Sequence, residues 1–220
     1  MDLHCAAVQV ARQILCLRDR KTDCGIAFGA DGCVYEVLQC LHALVQDTGT
    51  DLTGVRFYSV QEYCGVDPMH SLNGKLKELL SYPGTRFSGI TEENAERYDR
   101  MLEEEGGLDL IVLGLGDNSS VGFNEPGTPY ASGAHLQKLT RPTREERAAE
   151  FDSEDSVPGF GATMGIRSIV KVPEILLITA GESKAKAVFD MLYARDDSRI
   201  PSAFLQLPRN VTVYADEQAA

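Results

Sequence analysis

The sequence has no tryptophan, no long apolar run and no excess of basic residues. Its 220 residues include 21 lysines and arginines against 33 aspartates and glutamates, for a formal net charge of −12. Because an acidic protein repels nucleic-acid phosphates and anionic lipid, we expect neither nucleic acid nor a membrane as a partner. The longest apolar stretches, residues 108–115 and 175–180, are far below the ~18 residues that span a bilayer. The N-terminus lacks the basic lead and apolar run of a signal peptide, which favours a cytoplasmic location.

The cysteines are confined to the first third of the chain, and none forms a Cys-x-x-Cys pair; they are Cys5, Cys16, Cys24, Cys33, Cys40 and Cys64. Without a secretory signal, a disulfide framework is not expected, so we interpret them as reduced thiols. Cys33 and Cys40 lie seven residues apart on one face of a predicted helix, where free cysteine behaves as a small apolar residue. A metal or redox site at these thiols is the less favoured alternative, and we expect no metal and no cofactor.

Helical and strand-like segments alternate along the chain. Apolar residues at helical spacing predict helices over residues 3–17, 34–45, 72–80 and 183–193, and a further helix begins with Thr91 as its N-cap and stops at Gly106-Gly107. Short apolar runs predict strands over residues 24–29, 54–60, 108–114, 174–179 and 211–214. Strands separated by helices indicate an α/β fold, a single domain over residues 1–220 with a mostly parallel sheet and helices on both faces.

Ligands bind beyond the carboxyl ends of the strands in such sheets, so the strand-to-loop junctions are the candidate sites. Four junctions carry polar or glycine-rich sequence: residues 28–32, 58–63, 113–127 and 179–185. The acidic stretch 145–155 is interpreted as a solvated helix and loop, with a mobile lid over the site as the less favoured alternative.

These junctions carry motifs at specific spacings. Leu113-Gly-Leu-Gly is followed by Phe123-Asn-Glu-Pro-Gly, and supporting pieces are Gln61-Glu-Tyr-Cys-Gly, Gly181-Glu-Ser-Lys-Ala and residues 205–217 at the end of the chain. The set resembles the glucosamine-6-phosphate deaminase/isomerase and 6-phosphogluconolactonase superfamily, whose loop reads L-G-x-G-x-D-G-H-I-A-F-N-E-P. Phe-Asn-Glu-Pro-Gly is typical of the deaminase branch. The resemblance implies a Rossmann-like sheet of the deaminase/isomerase type.

The acid–base positions of that family are substituted here. The family base, an aspartate that moves a proton between C1 and C2 of the opened sugar, corresponds to Gln61, and an amide cannot accept that proton. The ring-opening histidine corresponds to Ser120 and its carboxylate neighbour to Asn118, while the third carboxylate is kept as Glu125. Glu62 is a candidate to replace Gln61 as the base. An active isomerase with relocated groups requires Glu62, Glu125 and His135 to converge within hydrogen-bond reach.

The resemblance also places a phosphate loop at Gly29, Ala30 and Asp31, where the family has T-G-[GS]-[ST]-P. A carboxylate at position 31 opposes a phosphate dianion by about 1–4 kcal/mol at a separation of ~4 Å. Lys184 matches the phosphate lysine of the family. A second family cation corresponds to Ala149, for which Arg147 is a candidate to compensate. Gly116 and Asn124 complete the predicted ligand-binding residues.

We therefore expect an amino-sugar deaminase/isomerase-like protein of carbohydrate metabolism that binds a sugar or sugar phosphate, with the standard deamination lost or altered. The partner is then a small molecule, and a homo-oligomer is possible. The alternative is a non-catalytic sugar-phosphate sensor or protein-interaction module. Asp31 favours a non-catalytic module, because a pocket that repels phosphate suits a neutral or cationic ligand.

Overall fold

The computed structural model of the chain describes residues 2–194 and 198–220. The described residues form nine strands: β1 (Gly25–Phe28), β2 (Arg56–Ser59), β3 (Gln61–Tyr63), β4 (Arg86–Ser88), β5 (Leu110–Leu113), β6 (His135–Lys138), β7 (Phe160–Thr163), β8 (Glu174–Thr179) and β9 (Val211–Ala215). The α-helices are α1 (Leu3–Arg20), α2 (Gly32–Thr48), α3 (Leu72–Leu79), α4 (Ala95–Glu104), α5 (Arg141–Arg147), α6 (Ile166–Ile169) and α7 (Ala185–Tyr193). Short 3₁₀ turns occupy Ala148–Glu150, Glu154–Ser156, Glu182–Lys184 and Pro201–Gln206.

Six strands form a parallel sheet in the order β4-β2-β1-β5-β8-β9. The chain runs outward from β1 in one direction through β2 and β4, and in the other through β5, β8 and β9. A parallel sheet whose strand order reverses in this way opens a crevice at the carboxyl ends of the two central strands. The sheet therefore creates a cleft beside residues 29 and 114, directly after β1 and β5.

A second, antiparallel sheet has the order β3-β7-β6. Only Val60 separates β2 from β3, so the chain passes straight from the central sheet into the second one. Gln61 pairs in register with Thr163 of β7, and His135 pairs with the same residue from the other side. This pairing fixes the position of Gln61 at the carboxyl end of β2.

The central strands are buried on both faces because helices cover each side. Ile26 and Phe28 of β1 pack into one apolar cluster with α1, α2 and α3, whereas Ala27 between them faces a second cluster with α4, α6 and α7. Leu110 and Val112 likewise face the first cluster, and their neighbours in β5 face the second. A strand buried on both faces has a continuous apolar sequence, which is why these strands were predictable. The predicted α/β fold with a mostly parallel sheet is confirmed.

Some local predictions were wrong. Thr91 is not the N-cap of α4, which begins at Ala95 after Asn94; instead the Thr91 amide donates to the Asn94 side chain at 2.8 Å, forming a turn before the helix. The helix predicted over residues 183–193 is present, but it begins as the 3₁₀ turn Glu182–Lys184, so that Lys184 ends this turn and is the N-cap residue of α7. Strands β3, β4, β6 and β7 were not predicted, since they are short and, in β6, half exposed. All six cysteines are free.

None of the helices that the structure describes is long and apolar enough to cross a membrane.

Candidate functional site

The predicted junctions meet in one cleft at the carboxyl ends of β1, β2, β5 and β8. Its outer part, about 430 Å³, is lined by residues that include Asp31, Glu146, Arg147, Glu150 and Lys184. Its inner part has a volume of about 20 Å³ and is lined by Gly29, Asp31, Gln61, Gly114, Leu115, Gly116, Ser120, Gly122, Phe123, Thr143, Glu146 and Arg147. A space of that size holds about one water molecule, so α5 and its side chains close the inner cleft to a sugar in this conformation.

Gln61 lies in the inner cleft, as the sequence predicts. Its side chain is 2% exposed, and no donor among the described residues reaches its Oε1 atom. A buried acceptor without a donor costs about 1–3 kcal/mol, so this oxygen is a position where a water or a ligand hydroxyl is stabilising. The Gln61 amide therefore lines the inner cleft and carries no titratable proton.

Asn118 links the glycine-rich loop to Glu125. Its Nδ2 atom donates to Oε2 of Glu125 at 2.7 Å and to Oγ1 of Thr143 at 3.0 Å, while its Oδ1 accepts from the Ser120 amide at 3.1 Å. The donor side of the amide thus faces the carboxylate and the acceptor side faces a backbone N–H. The loop turns at Ser119, whose φ of 66° lies in the left-handed region. The family motif has glycine at this position.

Glu125 is 1% exposed and its carboxylate is fully engaged. Besides Asn118, its oxygens accept from the Thr140 amide and the Thr140 hydroxyl, each at 3.0 Å. Thr140 immediately precedes α5, so the carboxylate attaches the start of this helix to the loop after β5. Glu125 is not among the residues that line the cleft, and its hydrogen bonds give it an anchoring position; its catalytic role stays a prediction.

Glu62 also points away from Gln61, because successive residues of a strand face opposite sides. Its carboxylate accepts from four donors between 2.6 and 3.0 Å: the amides of Tyr63, Leu72 and Asn73 and the hydroxyl of Ser71. Three of these donors belong to the start of α3, where a negative charge is favoured by the helix dipole. Glu62 therefore anchors α3, which argues against the predicted role as a substitute base.

His135 makes its own separate contacts, with the Gly133 carbonyl at 2.8 Å and the Gln137 side chain at 3.1 Å. Glu62, Glu125 and His135 do not converge, so the relocated acid–base cluster of the isomerase hypothesis does not form. Asn124 is 0% exposed and donates to the carbonyls of Val121 and Met164, both at 2.8 Å. Its Nδ2 thus braces the loop, and its role in binding a ligand stays a prediction.

Asp31 lies at the predicted phosphate loop and serves as the N-cap of α2, accepting from the Val34 amide at 3.1 Å. It packs so closely over Gly114 that a Cβ atom there would meet its carboxylate at 1.7 Å. Burial raises the pKa of Asp31, although the nearby Arg147 guanidinium opposes that rise. The position that the family motif gives to a hydroxyl thus holds an acidic group deep in the cleft.

Arg147 crosses the cleft from the end of α5. One guanidinium nitrogen donates to the Ala30 carbonyl at 2.8 Å and to Glu150 at 2.9 Å, and only 12% of the side chain is exposed. Burial alone would lower the pKa of Arg147, but Tyr63, Glu150 and Asp31 outweigh it and hold the group charged. The predicted compensation for Ala149 therefore has a structural basis, since Arg147 reaches the phosphate loop.

Lys184 is the second cation, and it is shared between Asp117 at 2.8 Å and Glu146. Burial alone would lower the pKa of Lys184, but the two carboxylates raise it above its ordinary value. Together Lys184 and Arg147 face four carboxylates, on Asp31, Asp117, Glu146 and Glu150, which leaves an excess of two negative charges if all are ionised.

Sequence reasoning missed Thr143 on α5 and interpreted residues 145–155, which include Glu146 and Glu150, as a solvated stretch. Glu146 and Glu150 instead line the cleft. The three-residue spacing of Thr143 and Glu146 puts both on one face of α5, which is a signal that the sequence carries. The direction of that face, however, follows from the attachment of Thr140 to Glu125, a contact between residues 15 apart in sequence.

The chain is similar to known proteins over almost its whole length. The glucosamine-6-phosphate deaminase of Halalkalibacterium halodurans is 36% identical over 92% of this chain and 86% of the relative, and that of Bacillus pumilus is 32% identical over 97% and 92%. A solved monomeric glucosamine-6-phosphate deaminase of the NagB superfamily superposes with a TM-score of 0.92 at 27% identity, covering 100% of this chain and 96% of the other. The Trypanosoma brucei 6-phosphogluconolactonase, at 16% identity, covers 100% and 95% and shares the fold with a TM-score of 0.78. No family model matches the chain.

Replacing Glu62 by glutamine should destabilise the protein by about 2–4 kcal/mol, because an amide keeps one acceptor oxygen for four donors and loses the favourable charge at α3. Denaturant unfolding measures the change. Glu92→Gln is the matched control, since Glu92 is exposed beside the same helix, and it should stay within about 0.5 kcal/mol. Equal effects of the two variants would contradict the anchoring role of Glu62.

Asn118→Asp should destabilise the protein by about 1–3 kcal/mol at pH 8, because it places a second carboxylate against Glu125. Repulsion raises the folded-state pKa of that pair. The loss in free energy of unfolding should therefore be complete above the raised pKa. It should shrink as the pH falls toward the ordinary carboxyl pKa values near ~4. Thermal unfolding across this pH range tests it, with Gln46→Glu, at an exposed residue of α2, as the control. A deficit independent of pH would argue against carboxylate repulsion.

Proposed function

This chain belongs to the glucosamine-6-phosphate deaminase family, and from that premise we propose that it binds a sugar or sugar phosphate in the cleft without carrying out the standard deamination. The observation that carries the proposal is Gln61, whose buried amide occupies the position that the family motif gives to the catalytic aspartate. A general base must accept a proton near neutral pH, and an amide does not. Its unsatisfied oxygen can still accept a hydrogen bond from a sugar hydroxyl.

The loop around Ser120 supports the same proposal. Ring opening requires a group that gives and takes a proton at the sugar ring oxygen, and a serine hydroxyl with a pKa far above neutrality does not fill that role. Asn118 holds Glu125 through an amide N–H, which does not transfer its proton. Glu125 is held by the neutral donors of Asn118 and Thr140, and no titratable group among the described residues is hydrogen-bonded to it.

The charges of the cleft determine how strongly a phosphate binds. Lys184 and Arg147 are the available cations, and each is already paired with carboxylates of this chain. A sugar phosphate must displace Glu146 from Lys184 and approach Asp31, so its binding is weakened relative to a site with free cations. We propose that the phosphate, where it binds, lies in the outer cleft between Lys184 and Arg147.

A second candidate function is a sensor for a neutral or cationic sugar without phosphate. The excess of carboxylates around Lys184 and Arg147, together with Asp31 in the phosphate loop, favours it. The two candidate functions differ in the ligand that is bound, and both lack the standard deamination.

The purified protein should release no ammonia from glucosamine 6-phosphate at a rate typical of enzymes, because Gln61 and Ser120 lack the required proton chemistry. A coupled ammonia assay measures this, with the Halalkalibacterium halodurans relative as the positive control. Turnover of about 1 s⁻¹ or more would contradict the proposal.

Asp31→Ser should strengthen the binding of glucosamine 6-phosphate at least about fivefold, because it removes a carboxylate that opposes the phosphate at a range of ~4 Å. Serine keeps an N-cap oxygen for α2, so the fold is preserved. Binding is measured by thermal shift at increasing ligand concentration. Lys184→Ala should abolish the shift.

The matched control is Asp2→Ser, because Asp2 is also an N-cap, accepting from the Cys5 amide at 2.7 Å, but lies on α1 outside the lining of the cleft. It should leave the affinity unchanged. If neither the original protein nor Asp31→Ser responds to any sugar phosphate while a neutral amino sugar stabilises both, the second candidate function is favoured.

A further inference from the structure

Three side chains with metal-binding atoms converge where the start of α1 meets α2. His4 lies in the first turn of α1, and Glu36 and Cys40 lie one turn apart on α2. The Nδ1 atom of His4 is 2.8 Å from Oε1 of Glu36 and 3.8 Å from Sγ of Cys40, and Sγ is 4.0 Å from Oε1. None of the three side chains lines the cleft.

The spacing of these atoms approaches that of a tetrahedral zinc site. Zinc bonds of about 2.3 Å to sulfur and about 2.0–2.2 Å to nitrogen and oxygen place pairs of ligand atoms roughly 3.3–3.6 Å apart. The Nδ1–Oε1 contact of 2.8 Å has to lengthen slightly and the two sulfur contacts of 3.8 and 4.0 Å have to shorten slightly. Small side-chain rotations achieve this, because Glu36 and Cys40 already share one helix face at positions i and i+4.

The donor set selects the metal. A thiolate, an imidazole and a carboxylate together suit Zn²⁺, whereas Mg²⁺ and Ca²⁺ prefer oxygen ligands alone. The sulfur of Cys40 lies in a residue that is 5% exposed, while the His4 side chain is 71% exposed. An ion can thus enter from solvent and bind the buried sulfur. With three protein ligands, its fourth coordination position is left for a water molecule.

We propose that His4, Glu36 and Cys40 form a Zn²⁺ site that joins the first turn of α1 to α2. The established family similarity does not assign this site, and it is independent of the proposed sugar-binding function. Leu3, the residue before His4, lines the outer cleft, and so do Asp31 and Cys33 at the start of α2. The metal therefore fixes two walls of that cleft relative to each other.

The test measures Zn²⁺ binding by calorimetry on chelator-treated protein that carries no N-terminal tag, since a tag would place extra ligands beside His4. We expect one Zn²⁺ per chain. His4→Ala and Cys40→Ser should each weaken binding more than about 100-fold, because they remove a direct ligand. Cys16→Ser on the exposed side of α1 and His70→Ala, whose ring pairs with Asp67, are matched controls that should bind as the original protein does.

Two further readouts separate metal ligation from a folding defect. Cobalt in place of zinc should give a thiolate-to-metal charge-transfer band in the original protein and none in Cys40→Ser. Zinc at about 100 times its Kd should raise the melting temperature by about 5–10 °C. His4→Ala should lose that rise while keeping nearly the same melting temperature without metal, because His4 is exposed.

Some results of these experiments would contradict the proposed Zn²⁺ site. Binding of no Zn²⁺ by the original protein would leave His4 and Glu36 as an ordinary ion pair. A charge-transfer band that persists in Cys40→Ser, or controls that weaken binding as much as His4→Ala does, would place the metal at other residues.

Discussion

The buried carboxylate of Glu125 determines where the walls of the cleft lie. A carboxylate that is 1% exposed is stable only if donors surround it, and here they come from Asn118 on the loop after β5 and from Thr140 at the start of α5. Those bonds attach a helix to the carboxyl end of the central sheet. The helix then carries Glu146 and Arg147 across the cleft. This attachment places α5 where Glu146 pairs with Lys184 and Arg147 reaches the Ala30 carbonyl.

The same carboxylate favours an amide over an acid at position 118. A second carboxylate at position 118 would lie within hydrogen-bond distance of Glu125, and two neighbouring carboxylates are tolerated only with a cation or a shared proton between them. In the family motif a histidine stands two residues further on, at the position of Ser120. With serine at position 120 the loop offers no cation there, so an amide at position 118 is more stabilising than a carboxylate would be. The chemistry at positions 118 and 120 is thus coupled through Glu125.

The central sheet and the position of the cleft could be predicted from sequence, because both depend on local pattern. Residues 110–113 are continuously apolar because β5 is covered on both faces, and the rule that ligands bind at carboxyl ends located Gln61 and Asp31. The partners of the charged residues could not be predicted. Lys184 meets Glu146 across 38 residues of sequence, and Glu62 reaches α3 instead of the cleft. Such pairings depend on how the elements pack, which no local pattern records.

The charge arrangement of the cleft bears on what it binds. An anion site commonly has cations or helix N-termini with free donors, so that the ligand completes their neutralisation. Here the N-terminus of α2 is capped by Asp31, and Arg147 and Lys184 are neutralised by carboxylates from the same chain. Burying two cations without counterions would be costly, so these carboxylates stabilise the cleft in the absence of ligand. The binding free energy of a phosphate would be only the difference between its own interactions with the cations and the ion pairs that it displaces. The cleft is therefore stable without a phosphate.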